Sequence, residues 1–125
     1  MNTHEPPDGW VERFHAIQNR VAAAVTGECE VTYSVYGDDA NGLPVDNLDE
    51  VAVRGRVQFV DDFGLWHSGE PYVSPIVSNP TWLEVAVLAN EMIKVTGDYH
   101  HIFLEGITVR HTDGDVKIME FSMGS

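Results

Sequence analysis

The chain has 125 residues, a single cysteine (Cys29), and 20 acidic against 7 basic side chains, for a formal net charge of −13. Seven Lys and Arg cannot build the basic footprint that phosphate contacts require, so nucleic acid and acidic membrane surfaces are excluded as natural partners. One cysteine excludes an internal disulfide, and the length reads as one domain over residues 1–125, burying roughly two-thirds of its unfolded surface.

Met1 to Asp8 is polar and proline-containing, without a signal-peptide pattern, and no apolar run is long enough to span a bilayer. A cytoplasmic location is the expectation. Asp8 is positioned to cap a first helix from about Gly9 to Thr26, with Trp10, Phe14, Ile17, Val21 and Val25 as its buried stripe and Gly27 as its stop. The next segment alternates: Cys29, Val31, Tyr33 and Val35 point one way, Glu28, Glu30, Thr32 and Ser34 the other. Gly37 to Glu50 reads as an acidic loop. Alternation resumes with Val51, Val53, Val57 and Phe59 inward and Arg54, Arg56 and Gln58 outward. Asp61 to Ser78 is rich in aromatics and prolines (Phe63, Trp66, Pro71, Tyr72, Pro75). It has room for one edge strand around Tyr72 to Val77, since Pro75 is acceptable only at an edge.

From Ser78 to Met123 the signals are strongest. Asn79 and Pro80 suit the cap and first position of a second helix. Trp82, Val85, Ala86, Ala89, Met92 and Ile93 recur at helical spacing, and Leu83, Val87 and Leu88 widen that face until the helix must be covered on more than one side. Gly97 ends it. Two strands follow, His100 to His111 and Val116 to Met123, around the hairpin signal Asp113-Gly114. A two-residue Asp113-Gly114 loop sets Thr112 opposite Asp115, Val109 opposite Ile118, Ile107 opposite Glu120 and Gly106 opposite Phe121. One face then carries Phe103, Ile107, Val109, Val116 and Ile118, and the other Ile102, Leu104, Met119, Phe121 and Met123. Each face is apolar over only part of its length. Either a bulge at Gly106 switches the faces, or both are partly covered. Trp82, Leu88, Met92, Val109 and Ile118 are the expected core contacts between helix and hairpin.

The order α-β-β-(β)-α-β-β implies an α+β fold: a two-layer, antiparallel sheet of four to five strands with two helices on one face. This order, the length, the acidity and the apolar second helix together resemble the type III secretion chaperones and their relatives, although the final helix many of those carry is missing. The resemblance implies a homodimer that holds a segment of a partner protein. It assigns no residues.

Metal and cofactor chemistry find no purchase in the sequence. His100 and His101 are adjacent in a strand and face opposite ways, and His111 lies about 33 Å from His101 at roughly 3.3 Å per residue. Asp38-Asp39-Ala40-Asn41-Gly42 resembles a calcium loop, but placing Gly42 sixth puts Gly37 and Leu48 where carboxylates belong. Phosphate-loop, dinucleotide and Gly-x-Ser-x-Gly patterns are absent. Arg54 and Arg56 form the one basic stripe, and Glu28 and Glu30 on a neighbouring strand are the natural ion-pair partners. No metal and no cofactor are expected.

Two readings remain. In the first, the chain is a small acidic binding module, homodimeric and recognising another protein, with Ile102, Leu104, Met119, Phe121 and Met123 as the interface. In the second it is a small enzyme or ligand-binding protein with a pocket near Glu105, Glu120 and His101, where two neighbouring carboxylates divide acid and base roles. The first is preferred, because no catalytic constellation passes its geometric test.

Overall fold

The computed structural model describes residues 7–62 and 69–125. Phe63 and Trp66, of the aromatic- and proline-rich stretch Asp61 to Ser78, lie outside these residues. Among the described residues, two helices, α1 (Trp10–Ala24) and α2 (Trp82–Thr96), accompany eight strands. These are β1 (Thr32–Tyr33), β2 (Gly37–Asp38), β3 (Pro44–Val45), β4 (Arg56–Asp61), β5 (Tyr72–Val73), β6 (Val77–Ser78), β7 (Phe103–Asp113) and β8 (Val116–Gly124). The main sheet runs β1-β7-β8-β4-β5, with β6 also on β4; β2 and β3 form a separate hairpin.

The fold is α+β and most of its strand pairs are antiparallel, but the sheet is mixed. β1 runs parallel to β7, and β4 runs parallel to β8. The purely antiparallel arrangement is thereby corrected: α2 lies in the chain between β4 and β8, and a connection of that length can return the chain to the same end of the sheet. The helices do not form one clean layer. α2 packs on β4 and β5, whereas α1 packs on β1, β3 and α2. The core joins Ile17 and Val21 of α1, Val31, Tyr33 and Leu48, Val57 and Phe59 of β4, Val85, Ala86, Ala89, Met92 and Ile93 of α2, and Leu104 and Met119 of the hairpin.

The caps of both helices differ from expectation. Gly9, in the left-handed region at φ 88°, takes the N-cap of α1 without a side-chain bond, so Asp8 does not fill that role. At α2 the cap is Thr81, not Asn79. Thr81 Oγ1 accepts from the Glu84 N–H at 3.2 Å, and Glu84 returns a carboxylate to the Thr81 N–H at 3.3 Å. This reciprocal box satisfies two free amides, where an asparagine would satisfy one. Asn79 is used elsewhere: at φ 46° its carboxamide oxygen accepts from the Gly55 N–H while its own N–H donates to the Gly55 carbonyl. Gly97 closes α2 at φ 75°, as its position dictates.

The edge strand expected around Tyr72 to Val77 is present as two short pieces, β5 and β6, both antiparallel to β4 and separated at Pro75. The loop after Gly37 contains the small β2–β3 hairpin. Arg20 reaches from α1 to Asp46 at 2.6 Å and Asp49 at 2.8 Å, tying the segment after that hairpin to the helix.

Candidate functional site

The β7–β8 hairpin departs from a simple ladder in three places. Its loop is Gly114-Asp115, so Asp113 faces Val116 and the ladder starts two residues away from the anticipated register. Positive φ is confined to Gly114 at 62°, the pattern of a turn that wants glycine at its first central position only. Two extra residues on β7 then correct the offset. Val109↔Met119 is followed by His111↔Ile118, which leaves Arg110 bulged; Leu104↔Met123 is followed by Gly106↔Ser122, which leaves Glu105 bulged. Of the two alternatives at Gly106, the bulge is realised, one residue earlier.

Each bulge reverses the alternation, and that changes the facing. Leu104 and Met119 are fully buried, while Ile102, Phe121 and Met123 pack partly buried against the core. Phe121 stacks on Phe59 with ring centroids 4.6 Å apart. The five residues proposed as an exposed interface therefore face the chain's own core, and the patch is corrected to a packing surface. Ile107 joins them on that side, opposite Phe121. Val109 does too, opposite Met119, but on the strand's open side it is 54% exposed. The expectation that Val109 is core is thus wrong, and Ile118 is only half-buried, whereas Leu88 and Met92 are buried.

The three candidate catalytic residues do not converge. Glu105, displaced by its bulge, lies over Gly124. Glu120 faces Thr108, three positions further along β7, which is about 10 Å at 3.3 Å per residue. Its carboxylate lies 3.4 Å from Arg110 Nε, and Arg110 also donates to Asp62 at 3.0 Å. His101 belongs to a local turn with Asp98, at 2.8 Å. The hollow beside Glu120 and Phe121 measures about 40 Å³, far below the roughly 300–1,000 Å³ of ordinary ligand sites.

Other charged candidates serve local structure. Asp39 accepts from the Asn41 and Leu43 N–H groups, and these backbone donors, Leu43 foremost, hold its carboxyl below the usual range. Arg56 donates to both carboxylate oxygens of Asp115 at 3.0 Å and lowers that carboxyl too. The expected pairing with Glu28 and Glu30 is corrected, because β4 neighbours β8 and not β1. Lys117 bonds the Arg54 carbonyl. Burial pushes the Cys29 thiol up, away from nucleophile chemistry. Among the described residues no group of three or more His, Cys, Asp or Glu is gathered in a way that suits a metal, and no helix is long and apolar enough to cross a membrane.

What the arrangement does present is a sheet edge. β1 pairs with β7 only at Thr32↔Phe103 and Tyr33↔Leu104. From Gly106 to Asp113, β7 has β8 on one side and, among the described residues, no strand on the other. Thr108 to Asp113 are all exposed. The far edge of β1 is closed by side chains instead. Gln18 of α1 donates to the Tyr33 carbonyl at 2.7 Å and accepts from the Tyr33 N–H at 2.8 Å. Asn90 of α2, 1% exposed, accepts from the Glu30 and Val31 N–H groups and donates to the Glu28 carbonyl. An asparagine ringed by Val85, Ala86, Ala89 and Ile93 was the available signal in the sequence of a buried partner.

Compared with known protein families, curated proteins and solved structures, the chain matches none.

Proposed function

We propose that this chain is a small, acidic, non-enzymatic binding module that recognises polypeptide by strand addition at the free edge of β7. The observation that carries the reading is the half-paired run Gly106 to Asp113. An unpaired strand edge offers a row of backbone donors and acceptors, and an extended segment can complete them while neighbouring side chains select its sequence. The run Ile107-Thr108-Val109 supplies β-branched side chains suited to cross-strand packing. Separation of Glu105, Glu120 and His101, and the small hollow beside Glu120, weigh against the enzyme reading.

Hydrogen exchange with labelled peptides tests this. The probe is a set of extended peptides, including one with the sequence of residues 103–113. Binding should slow exchange of amides within 106–113 and leave α1 unchanged. Protection confined to another surface, or no binding by any peptide, would refute strand addition.

A further inference from the structure

The occupant of this edge is, we infer, a second copy of the same chain, its β7 lying antiparallel to the first about a two-fold axis at Thr108. The inference rests on the strand-addition reading and names its partner. Identical antiparallel strands related by a two-fold axis must set one residue against itself, so only a few registers exist. β1 already occupies the edge at Phe103 and Leu104. A two-fold at Ile107 would drive Arg110 of the second copy against Leu104, into β1. A two-fold at Val109 would set Glu105 against Asp113, like charge against like. At Thr108 the like charges part and the overlap with β1 shrinks from Arg110–Asp113 to the tip residues Thr112 and Asp113, which fall opposite Leu104 and Phe103; below the tip, Glu105 faces His111, Gly106 faces Arg110, Ile107 faces Val109 and Thr108 faces Thr108.

The faces agree as well. Ile107 and Val109 lie on the helix side, opposite Phe121 and Met119 of their own β8. Each copy's exposed Val109 is thereby set against Ile107 of the other. His111 and Glu105 both lie on the other side of the sheet, beside Ile118 and Gly124 respectively. Charge points the same way. In a chain of net charge −13, residues 103–113 carry Glu105 and Asp113 against Arg110, with His111 beside them. This edge is a place where two such acidic copies meet with little repulsion.

Sedimentation and cysteine cross-linking test the inference. In a Cys29→Ser background, Thr108→Cys should oxidise to a covalent dimer. Ile107→Cys alone should not, but should do so when mixed with Val109→Cys. Sedimentation of the unmodified chain should show a dimer that tightens as salt screens the remaining charge. Val109→Lys should yield a folded monomer whose melting temperature no longer depends on protein concentration, since that side chain is already in solvent in the single copy. A monomer at every concentration would overturn the dimer, as would a dimer that cross-links through Ile107→Cys alone or survives Val109→Lys. If the chain is monomeric yet added β7-sequence peptide protects amides 106–113, only the self-pairing fails. If that protection is also absent, strand addition fails with it.

Discussion

β1 and β7 each have a side that no strand occupies, and the two are treated in opposite ways. β1 is two residues long, and beyond it the backbone is held by carboxamides: Gln18 reproduces both bonds of a neighbouring strand at Tyr33, and Asn90 covers Glu28 to Val31. β7 is eleven residues long, and from Gly106 onward its outer side carries no such cover among the described residues. A strand edge can be blunted by side chains borrowed from helices or by brevity, and β1 uses both. β7 carries instead the bulges at Glu105 and Arg110, which leave Gly106 to Val109 as an uninterrupted ladder between them. The two edges differ in what covers them: α1 packs on β1, whereas Thr108 to Asp113 of β7 are all exposed.

The largest test of this contrast compares the two ends of the hairpin. Phe121→Ala removes a ring stacked on Phe59 and should cost about 3–5 kcal/mol by the usual large-to-small range, read as a shift in urea midpoint. Val109→Ala in the monomer should stay within about 0.5 kcal/mol, as exposed positions do. Equal losses would mean that the hairpin is packed along its whole length.

Next come the side chains that close β1. Asn90→Ala leaves two amides and a carbonyl without partners and should cost about 3 kcal/mol, while the less buried Gln18→Ala should cost about 1–2 kcal/mol. In Gln18→Ala the Tyr33 amide should also exchange faster. If neither variant shifts the midpoint or the exchange rates, water replaces these bonds freely and the two edges do not differ in kind.

The smallest effect is at the hairpin turn. Arg56 holds the Asp115 carboxyl below its ordinary value, so the pair contributes above the unfolded carboxyl range and is lost as pH falls through the lowered folded value. Both side chains are exposed, and the effect belongs to local order at the turn rather than to global stability. Amide shifts of Gly114 and Asp115 should titrate in acid, below about pH 4, and Arg56→Ala should move that midpoint upward. An unmoved midpoint would remove Arg56 as the cause.

Where the chemistry is local, the sequence was legible. Helical spacing located both helices, Gly97 marked the end of α2, and Asp113 to Asp115 marked a hairpin. Tyr33 and Phe59 turned out to be buried where alternation set them. The first errors came from near-degenerate local choices. Asp113-Gly114 and Gly114-Asp115 are equally good loops on paper, and moving between them shifts every pair by two. Likewise Asn79-Pro80 competed with Thr81 and Glu84 for the cap. The larger errors came from information that no local window contains. Gln18 and Asn90 replace strands with side chains, so the alternating segment around Val31 pairs over only two residues. The parallel neighbours of β7 and β8 are set by packing across the chain. Leu104 and Phe121, read as an exposed face, pack on the core, and the extra residue at Glu105 brings Ile107 round to their side.

The two parallel pairings also have a kinetic consequence. β7 and β8 meet through a two-residue loop, a contact of the kind that forms in microseconds. β4 meets β8, and β1 meets β7, across about 60 and 70 residues of chain respectively, and such distant closures carry the entropy that slows folding. The hairpin is therefore the template on which the rest assembles. In stopped-flow refolding, Gly114→Ala should mainly slow folding, whereas Val57→Ala on β4 should mainly hasten unfolding; the reverse partition would place the β4–β8 pairing first. Until β1 and β4 dock, both long sides of that hairpin are open to any extended chain nearby, and in the single folded copy the stretch that β1 does not reach is still without a strand among the described residues.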